Sequence, residues 1–565
     1  MTMSSNPFPN SPFENPFGGF KRPALTPGRL TFIALVVIIA LFIGFSGFYA
    51  DLLWFKSVDF QSVWTKMLVT KIELFFIFGL ITAALVTVSL VIAYRTRPVY
   101  APIEIDNLER YRGQIEPAKK QLIIGIFLAL TYFAGTNGAR LWETYLQFRN
   151  ATTFGVKDPQ FKLDVSFFAF RLPFYQALLS WAISVALLAL IGAAAVHYLY
   201  GGIQWQLKDD RTTKAARIHI SVLLGVLVLL KSVAYWFDRY HLALSQNRLI
   251  TGLTYTDVNA TLPAKSILAG IAIICALLFF ANIVRRSWVL PAAGVALMLV
   301  SSLVIAGIYP AFIQQFTVKP SESTKEAPFI QRNIDATRDA YDLSGVKVID
   351  YNAVSSTSAG QLSKDGATIS NIRLIDPNVV SSTFKQLQQI KPYYSFADSL
   401  DVDRYVVNGK NRDAVVAVRE LNINGNPQRN WINDHLVYTH GFGFVSAYAN
   451  TIDADGKPNF IVGDIPPTTG LGSFQPRIYF GENVPDYSII GGTKTTKPTE
   501  LDYPDDASAN GQKNYTYTGR GGVPVGSLIN RLLFAVKYQE QRIVLSNLIN
   551  KDSKILYNRD PKTAV

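Results

Sequence analysis

Seven long apolar stretches fill the first 310 residues of the chain, at 30–50, 74–94, 121–142, 173–198, 218–237, 266–284 and 288–308. About 20 apolar residues, at about 1.5 Å of helical rise each, cross the hydrocarbon core of a bilayer. A chain with this pattern folds around membrane-spanning helices. The last stretch is the sharpest of the seven, since no charged residue occurs from Ser287 to Val318. No comparable stretch follows it, so 288–308 reads as the final span, ended by Tyr309-Pro310, and as the stem of everything downstream.

Past residue 310 the pattern mixes two periods. An amphipathic stretch starting near Pro328 puts Ile330, Ile334, Thr337 and Tyr341 on one helical face. Short strand-like runs follow at 346–351, 414–421, 435–448, 459–464, 476–481 and 487–492, separated by Gly, Pro, Asn and Asp. Helices are expected at 381–390 and 527–549, the second with Ser527 as its N-cap. The fold class is therefore an α-helical bundle of seven transmembrane helices followed by an α+β extracytoplasmic domain. Residues 1–29, rich in Asn, Pro, Phe and Gly, read as a disordered cytoplasmic tail. Residues 30–310 form the transmembrane domain and 311–565 the extracytoplasmic one.

Charge supplies the orientation. Residues 1–310 carry 27 Lys+Arg against 15 Asp+Glu, whereas 311–565 carry 27 against 26. The basic excess lies in the membrane half, where loop charge orients spans, and no motif gives it a nucleic-acid context. The tail, loops 95–120 and 199–217 and the turn at Arg285-Arg286 hold 15 basic residues against 11 on the opposite side. The positive-inside rule then puts the N-terminus in the cytoplasm and residues from about 310 outside a bacterial plasma membrane. The lone cysteine, Cys275, lies inside an apolar run, so core packing and not a disulfide framework must hold the exported half.

Short motifs spread over nearly the whole chain carry a family resemblance: DLLWFKSV at 51–58, FGVKDPQFKLDVSFFAFRLPFY at 154–175, EAPFIQRNIDATRDAY at 326–341, LDVDRYVVNG at 400–409, NDHLVYTHGFG at 433–443, QPRIYFGE at 475–482 and ILYNRDP at 555–561. The chain resembles an uncharacterised family of bacterial multi-pass membrane proteins of actinobacterial and cyanobacterial type. The resemblance implies seven spans and a large extracytoplasmic region, with this chain matching the N-terminal part of the family architecture. It supplies no established activity, substrate or catalytic residue.

Five residues stand out for chemistry. Lys231 lies inside the fifth span, where an ion is a functional candidate by default, although its stem can snorkel to the interface. Asp238, seven residues on and near the same face, is its candidate partner. His435 and His440 flank LVYT beside Asp434, but a spacing of five puts them on opposite faces of a strand. Arg520, in the glycine-rich TGRGGVPVGS at 518–527 ahead of a helix, could assist an anion at the helix N-terminus. The segment 451–459 half-resembles a calcium loop, yet Val462 stands where the bidentate Glu would be, and a hairpin turn explains it better. HExxH, GxSxG and the Walker spacing are absent from the sequence. The expected function is that of a non-enzymatic envelope protein, needing neither metal nor cofactor, whose exported domain binds an envelope protein or lipid. The alternatives are a transporter or channel subunit, and an extracytoplasmic enzyme acting on lipid or wall polymer. Aromatic residues in loops 51–73 and 143–172 suggest a floor on which the exported domain docks.

Overall fold

The computed structural model of the chain describes residues 27–98, 106–204, 211–285, 288–350, 360, 372–468, 470–492 and 500–560. The disordered-tail expectation, for residues 1–26, and Arg286 of the basic turn lie outside the described residues. Among the described residues seven helices are long and apolar enough to cross a membrane, and a strand-containing region follows them. The chain divides into two compact units. One is Thr65–Tyr351; the other joins Met1–Trp64 to Asn352–Val565.

The helices are α1 (Pro27–Ser57), α2 (Gln61–Arg95), α3 (Asp106–Ala139), the short α4 (Trp142–Arg149), α5 (Leu172–Leu199), α6 (Lys214–His241), α7 (Leu262–Arg285), α8 (Val289–Ser301), the single turn α9 (Tyr309–Phe312) and α10 (Glu322–Ala340). Small residues set how closely they approach. A Cβ on Gly79 of α2 would meet the Thr131 carbonyl of α3 at 2.5 Å, and one on Gly135 would meet Phe75 at 2.7 Å, so these helices touch backbone to backbone. Ala272, Cys275, Ala276 and Phe279 of α7 pack on Val228 of α6 in the same way.

Two expectations for the last span are corrected. The helix does not end at Tyr309-Pro310 but runs on to Ala340. Wide π-helical turns at Ser302–Ile308 and Ile313–Val318 flank Pro310, and such turns take up a ring that would otherwise clash with the preceding turn. The expected apolar face of α10 is also not its buried one, since Ile334 and Tyr341 are exposed. The face through Glu322, Glu326 and Asn333 holds the helix instead. Glu326 is buried and accepts the Tyr255 N–H at 3.0 Å, Arg248 pairs with Glu322 at 2.7 Å, and Asn333 donates to the Thr251 carbonyl at 2.9 Å. Polar capping of the 242–261 loop outcompetes the apolar stripe.

The phenylalanines of loop 143–172 find partners within this unit. Phe161 and Phe167 pack against Tyr240 with ring centres 5.0 and 5.3 Å away, and Phe148 stacks on Phe174 at 4.5 Å. Asp164 organises the loop by accepting the N–H groups of Phe154, Gly155 and Ser166. Its hydrogen bonds, that with Ser166 first, hold its carboxyl at about 2.

The second unit contains α11 (Pro377–Gln388), α12 (Leu528–Tyr538) and α13 (Arg542–Leu545) with thirteen short strands among the described residues: β1 (Tyr394–Ser395), β2 (Asp401–Val407), β3 (Lys410–Val418), β4 (Glu420–Leu421), β5 (Gly441–Phe442), β6 (Phe444–Ile452), β7 (Pro458–Val462), β8 (Arg477–Ile478), β9 (Tyr487–Gly491), β10 (Glu500–Pro504), β11 (Gln512–Tyr515), β12 (Val523–Pro524) and β13 (Ser553–Tyr557). An antiparallel sheet in the order β2-β3-β6-β7 packs against α11 through Val380, Phe384, Val415 and Val445. The β2–β3 hairpin turns on Asn408-Gly409, both at positive φ, the arrangement that matches strand twist. Asp453 caps the β6–β7 hairpin, taking the N–H groups of Asp455 and Lys457, so the 451–459 segment is a turn. The expected strand at 346–351 is irregular and exposed over its described residues. The expected helix 527–549 breaks at Gln539, whose left-handed φ of 52° separates α12 from α13.

A second sheet, β12-β13-β9, packs against α12, and the end of α1 completes its core. Ala50 is 1% exposed and lies among Phe534, Val523 and Tyr557, with Leu53 and Trp54 beside them. The Tyr557 hydroxyl donates to the Ala50 carbonyl at 2.6 Å, and Lys537 pairs with Asp51 at 3.3 Å. A helix long and apolar enough to span a membrane thus contributes its last turns to the core of a unit whose remainder begins some 300 residues later.

Candidate functional site

Lys231 and Asp238 do not pair. Asp238 binds Lys265 of α7 at 3.0 Å, and Lys231 places its ammonium 4.6 Å from the centre of the Tyr235 ring. Lys265 lies 5.7 Å from the same ring, so Tyr235 serves both cations. One helical turn separates Lys231 from Tyr235, whereas Asp238 is two turns away and reached first by the shorter route from α7.

His435 and His440 enter different clusters. His435 lies in a π-helical turn and stacks on Tyr487, with ring centres 3.9 Å apart and planes 4° apart. Its Nδ1 sits 2.9 Å from the Tyr487 carbonyl, and burial pushes its pKa below the ordinary histidine value. His440 belongs to a sealed polar centre between β5, β8 and β10. Its Nδ1 meets the Thr439 hydroxyl at 2.9 Å and its Nε2 meets Asp502 at 3.4 Å. Arg477 grips Asp502 through Nε and Nη2 at 2.7 and 2.8 Å, and stacks over Tyr515 at 3.6 Å. Burial raises the Asp502 carboxyl, but the His440 and Arg477 contacts prevail and hold it below its usual value. Glu500, also buried, accepts hydrogen bonds from the Thr439 and Tyr479 hydroxyls and the Gly491 and Tyr517 amides. Behind them Arg559, 2% exposed, donates to Tyr479 O, Ser488 Oγ and Thr439 O at 2.7, 2.5 and 2.6 Å. Burial brings its pKa down to about 9. Thr439, His440, Glu500, Asp502 and Arg559 are buried and matched by internal partners, with Arg477 partly exposed at the edge, so the centre ties strands together.

Arg520 is exposed, and its carbonyl receives the Lys554 ammonium at 3.3 Å. Ser527 caps α12 by accepting the Asn530 N–H at 3.2 Å, so a side chain already takes one of the amides an anion would need.

An accessible site lies elsewhere in this unit. A groove of about 620 Å³ is lined by Asn430, Trp431, Ile432, Arg542, Leu545 and Ser546. Trp431 forms its floor, belongs to the cluster that receives α1, and donates to the Tyr487 hydroxyl at 2.9 Å. Leu545 is 72% exposed, and the first turns of α12 also expose Leu528 and Ile529. The lining mixes apolar Trp431, Ile432 and Leu545 with polar Asn430, Ser546 and the Arg542 guanidinium.

The helical unit holds polar residues that sequence reasoning passed over. His197, near the end of α5 and 1% exposed, places Nε2 3.2 Å from Nδ1 of His219 near the start of α6. His219 Nε2 lies 3.2 Å from Ser89 Oγ of α2. Next to them, Glu116 of α3 is bound by Tyr94, Lys119 and Tyr200, with Arg97 at 3.9 Å. Each histidine stands at the end of an apolar run and reads singly as interfacial. Their being 22 residues apart across a helix–helix turn, hence at equal depth, is the signal that could have joined them.

Comparison with known proteins identifies the family. Residues 29–565 match the model of an uncharacterised protein family, UPF0182. A UPF0182 protein of Streptomyces coelicolor is 46% identical over 544 residues, which cover 95% of this chain and 54% of that protein. One from Leifsonia xyli is 44% identical over 95% of this chain and 55% of its own length, and one from Frankia alni 45% over 91% and 51%. The chain spans about half the length of the curated relatives it matches. No solved structure matches it. With seven apolar helices and a family match over nearly its whole length, the chain belongs to the uncharacterised protein family UPF0182.

Proposed function

We propose that this multi-pass membrane protein serves the bacterial envelope without catalysis of its own, and that its exported domain binds anionic phospholipid of the outer leaflet. The groove beside Trp431 carries this reading. In support, the 30–50 stretch of α1 supplies about 30 Å of helix, one hydrocarbon thickness. Ala50 and Trp54 then sit where the helix leaves the bilayer, and they pack on the cluster that contains Trp431. The groove opens at headgroup level, with Ile432 and Leu545 facing acyl chains and Arg542 meeting phosphate. The orientation rests on the positive-inside rule, with the N-terminus cytoplasmic and the strand-containing unit outside.

The test is photocrosslinking from a benzophenone amino acid at position 545 in the full chain, reconstituted in vesicles of phosphatidylglycerol or of phosphatidylcholine. Lipid adducts should form in both and be several-fold more abundant with phosphatidylglycerol. Arg542→Glu should remove that preference. Adducts to protein alone, or equal adducts from both lipids, would overturn the reading.

A further inference from the structure

Beyond lipid binding by the exported domain, the geometry points to an intramembrane proton site at His197, His219 and Ser89. Three helices contribute one group each, and the groups form a single line. Ser89 Oγ lies 3.3 Å from the Ala189 carbonyl and 3.2 Å from His219 Nε2, and His219 Nδ1 lies 3.2 Å from His197 Nε2. Two neutral imidazoles and a hydroxyl offer three protons. One alignment uses them all in order: His197 Nε2–H donates to His219 Nδ1, His219 Nε2–H to Ser89 Oγ, and Ser89 O–H to the Ala189 carbonyl. It leaves a lone pair on His197 Nδ1, which is buried and has no hydrogen-bond partner among the described residues. The opposite alignment would leave an N–H there, and an orphaned buried donor is the less tolerated of the two. The line therefore ends on an open proton acceptor.

Space beside that acceptor is kept by a glycine. A Cβ on Gly202 would stand 2.9 Å from His197 Nδ1. The proton binds at Nδ1, and the Nε2 proton can then pass to His219 Nδ1, which moves the charge from α5 to α6 with no other bond changed. Among the described residues, the charged and titratable groups of the neighbouring elements do not bond to His197 Nδ1. On α2 and α3, Tyr94 and Glu116 are engaged with Lys119, Tyr200 and Arg97. Arg112 of α3 donates to the Leu199 carbonyl. On α6, Lys214 and Arg217 lie toward its start; α7 brings Asn282, bound to Ser221 at 2.9 Å, and ends in Arg285. An intramembrane histidine pair of this kind suits a proton-linked step in the bundle.

Imidazole nitrogen NMR of the full chain in nanodiscs, labelled with ¹⁵N-histidine, tests this. The chain has five histidines, and His241, His435 and His440 report whether each variant is folded. At high pH His197 should show an unprotonated Nδ1 and a coupling across its Nε2–H to His219. On acidification the two rings should shift together as one proton is taken up. His219→Gln should abolish the coupling and leave His197 titrating alone, and Gly202→Ala should suppress uptake with the control histidines unmoved. Separate titration of the two rings in the unaltered chain, absence of the coupling, or no uptake between pH 8 and pH 5 would overturn the proposal.

Discussion

Replacing Tyr557 by Phe isolates the bond that closes the strand-containing unit on α1. The ring stays, and with it the packing on Phe534 at 5.3 Å between ring centres. Only the hydroxyl is lost, and with it a 2.6 Å hydrogen bond to the Ala50 carbonyl. That carbonyl lies inside α1 and keeps the helical bond of its own turn, so no orphaned acceptor is left. The loss is therefore the net value of one buried hydrogen bond, about 0.5–1.5 kcal/mol, without the penalty of an unsatisfied group. Over the exchange of backbone amides that need α1 to part from α12 and β13, this predicts an acceleration of about 2- to 13-fold. Asp51→Asn removes the Lys537 pair, whose aspartate is more than half exposed, and should add at most a few tenths of a kcal/mol. Ala50→Leu is the harsher probe. A side chain 1% exposed has no room to grow, and overpacking of this kind costs about 1–3 kcal/mol.

Hydrogen–deuterium exchange of the full chain in nanodiscs reads these effects by segment. Peptides from 46–57 and 528–557 should accelerate together, while those from the β2-β3-β6-β7 sheet stay unchanged. Acceleration confined to 528–557, with α1 as protected as before, would refute the shared core. So would a Tyr557→Phe effect larger than that of Ala50→Leu.

Acidity should weaken the same unit through His435. Its pKa is lowered by burial, so between the unfolded value near 6.5 and its lower folded value the unfolded chain binds the extra proton. Stability is full above pH 6.5 and falls as the pH drops through that window. His435→Phe keeps the stack on Tyr487 without the proton, so the gap in thermal midpoint between the two proteins should narrow from pH 7 to pH 5; a constant gap would contradict this. Arg559→Lys should cost about 3 kcal/mol, because one ammonium cannot serve Tyr479 O, Ser488 Oγ and Thr439 O along the three directions of the guanidinium. Thermal unfolding checks it, and a loss below about 1 kcal/mol would show that the centre relaxes around the change.

The membrane half was legible because a bilayer imposes one rule, a run of apolar residues of fixed length. The π turns around Pro310 were not, since nothing local distinguishes a proline that ends a helix from one absorbed by wider turns. In the second unit the apolar strands β3, β6 and β9 were readable. β2 was missed, although Asn408-Gly409 marks its hairpin, because DVDRYVV is largely exposed and charged. β10 was missed for the opposite reason. Its Glu500 and Asp502 read as surface carboxylates, yet they point inward to Thr439 and His440 ahead of β5, to Arg477 of β8 and to the Tyr517 amide. Tertiary pairing decided both strands, and such pairing has no local signature. The histidine line at Ser89, His219 and His197 was hidden for the same reason, being assembled from three helices.

The way α1 is used bears on how the protein matures. Ala50 and Tyr557 are 507 residues apart in the chain, so the core around Phe534 stays open until the strand-containing unit has been made. Closing a loop of that length is unfavourable only in proportion to the logarithm of its length. The open core exposes Val523, Ile489 and Phe534 in the interval, a surface that favours association. The first span is therefore more than an anchor. It supplies part of the core that the later strands and helices complete, and a truncated chain without residues 27–64 should lose the β12-β13-β9 sheet before it loses the β2-β3-β6-β7 sheet.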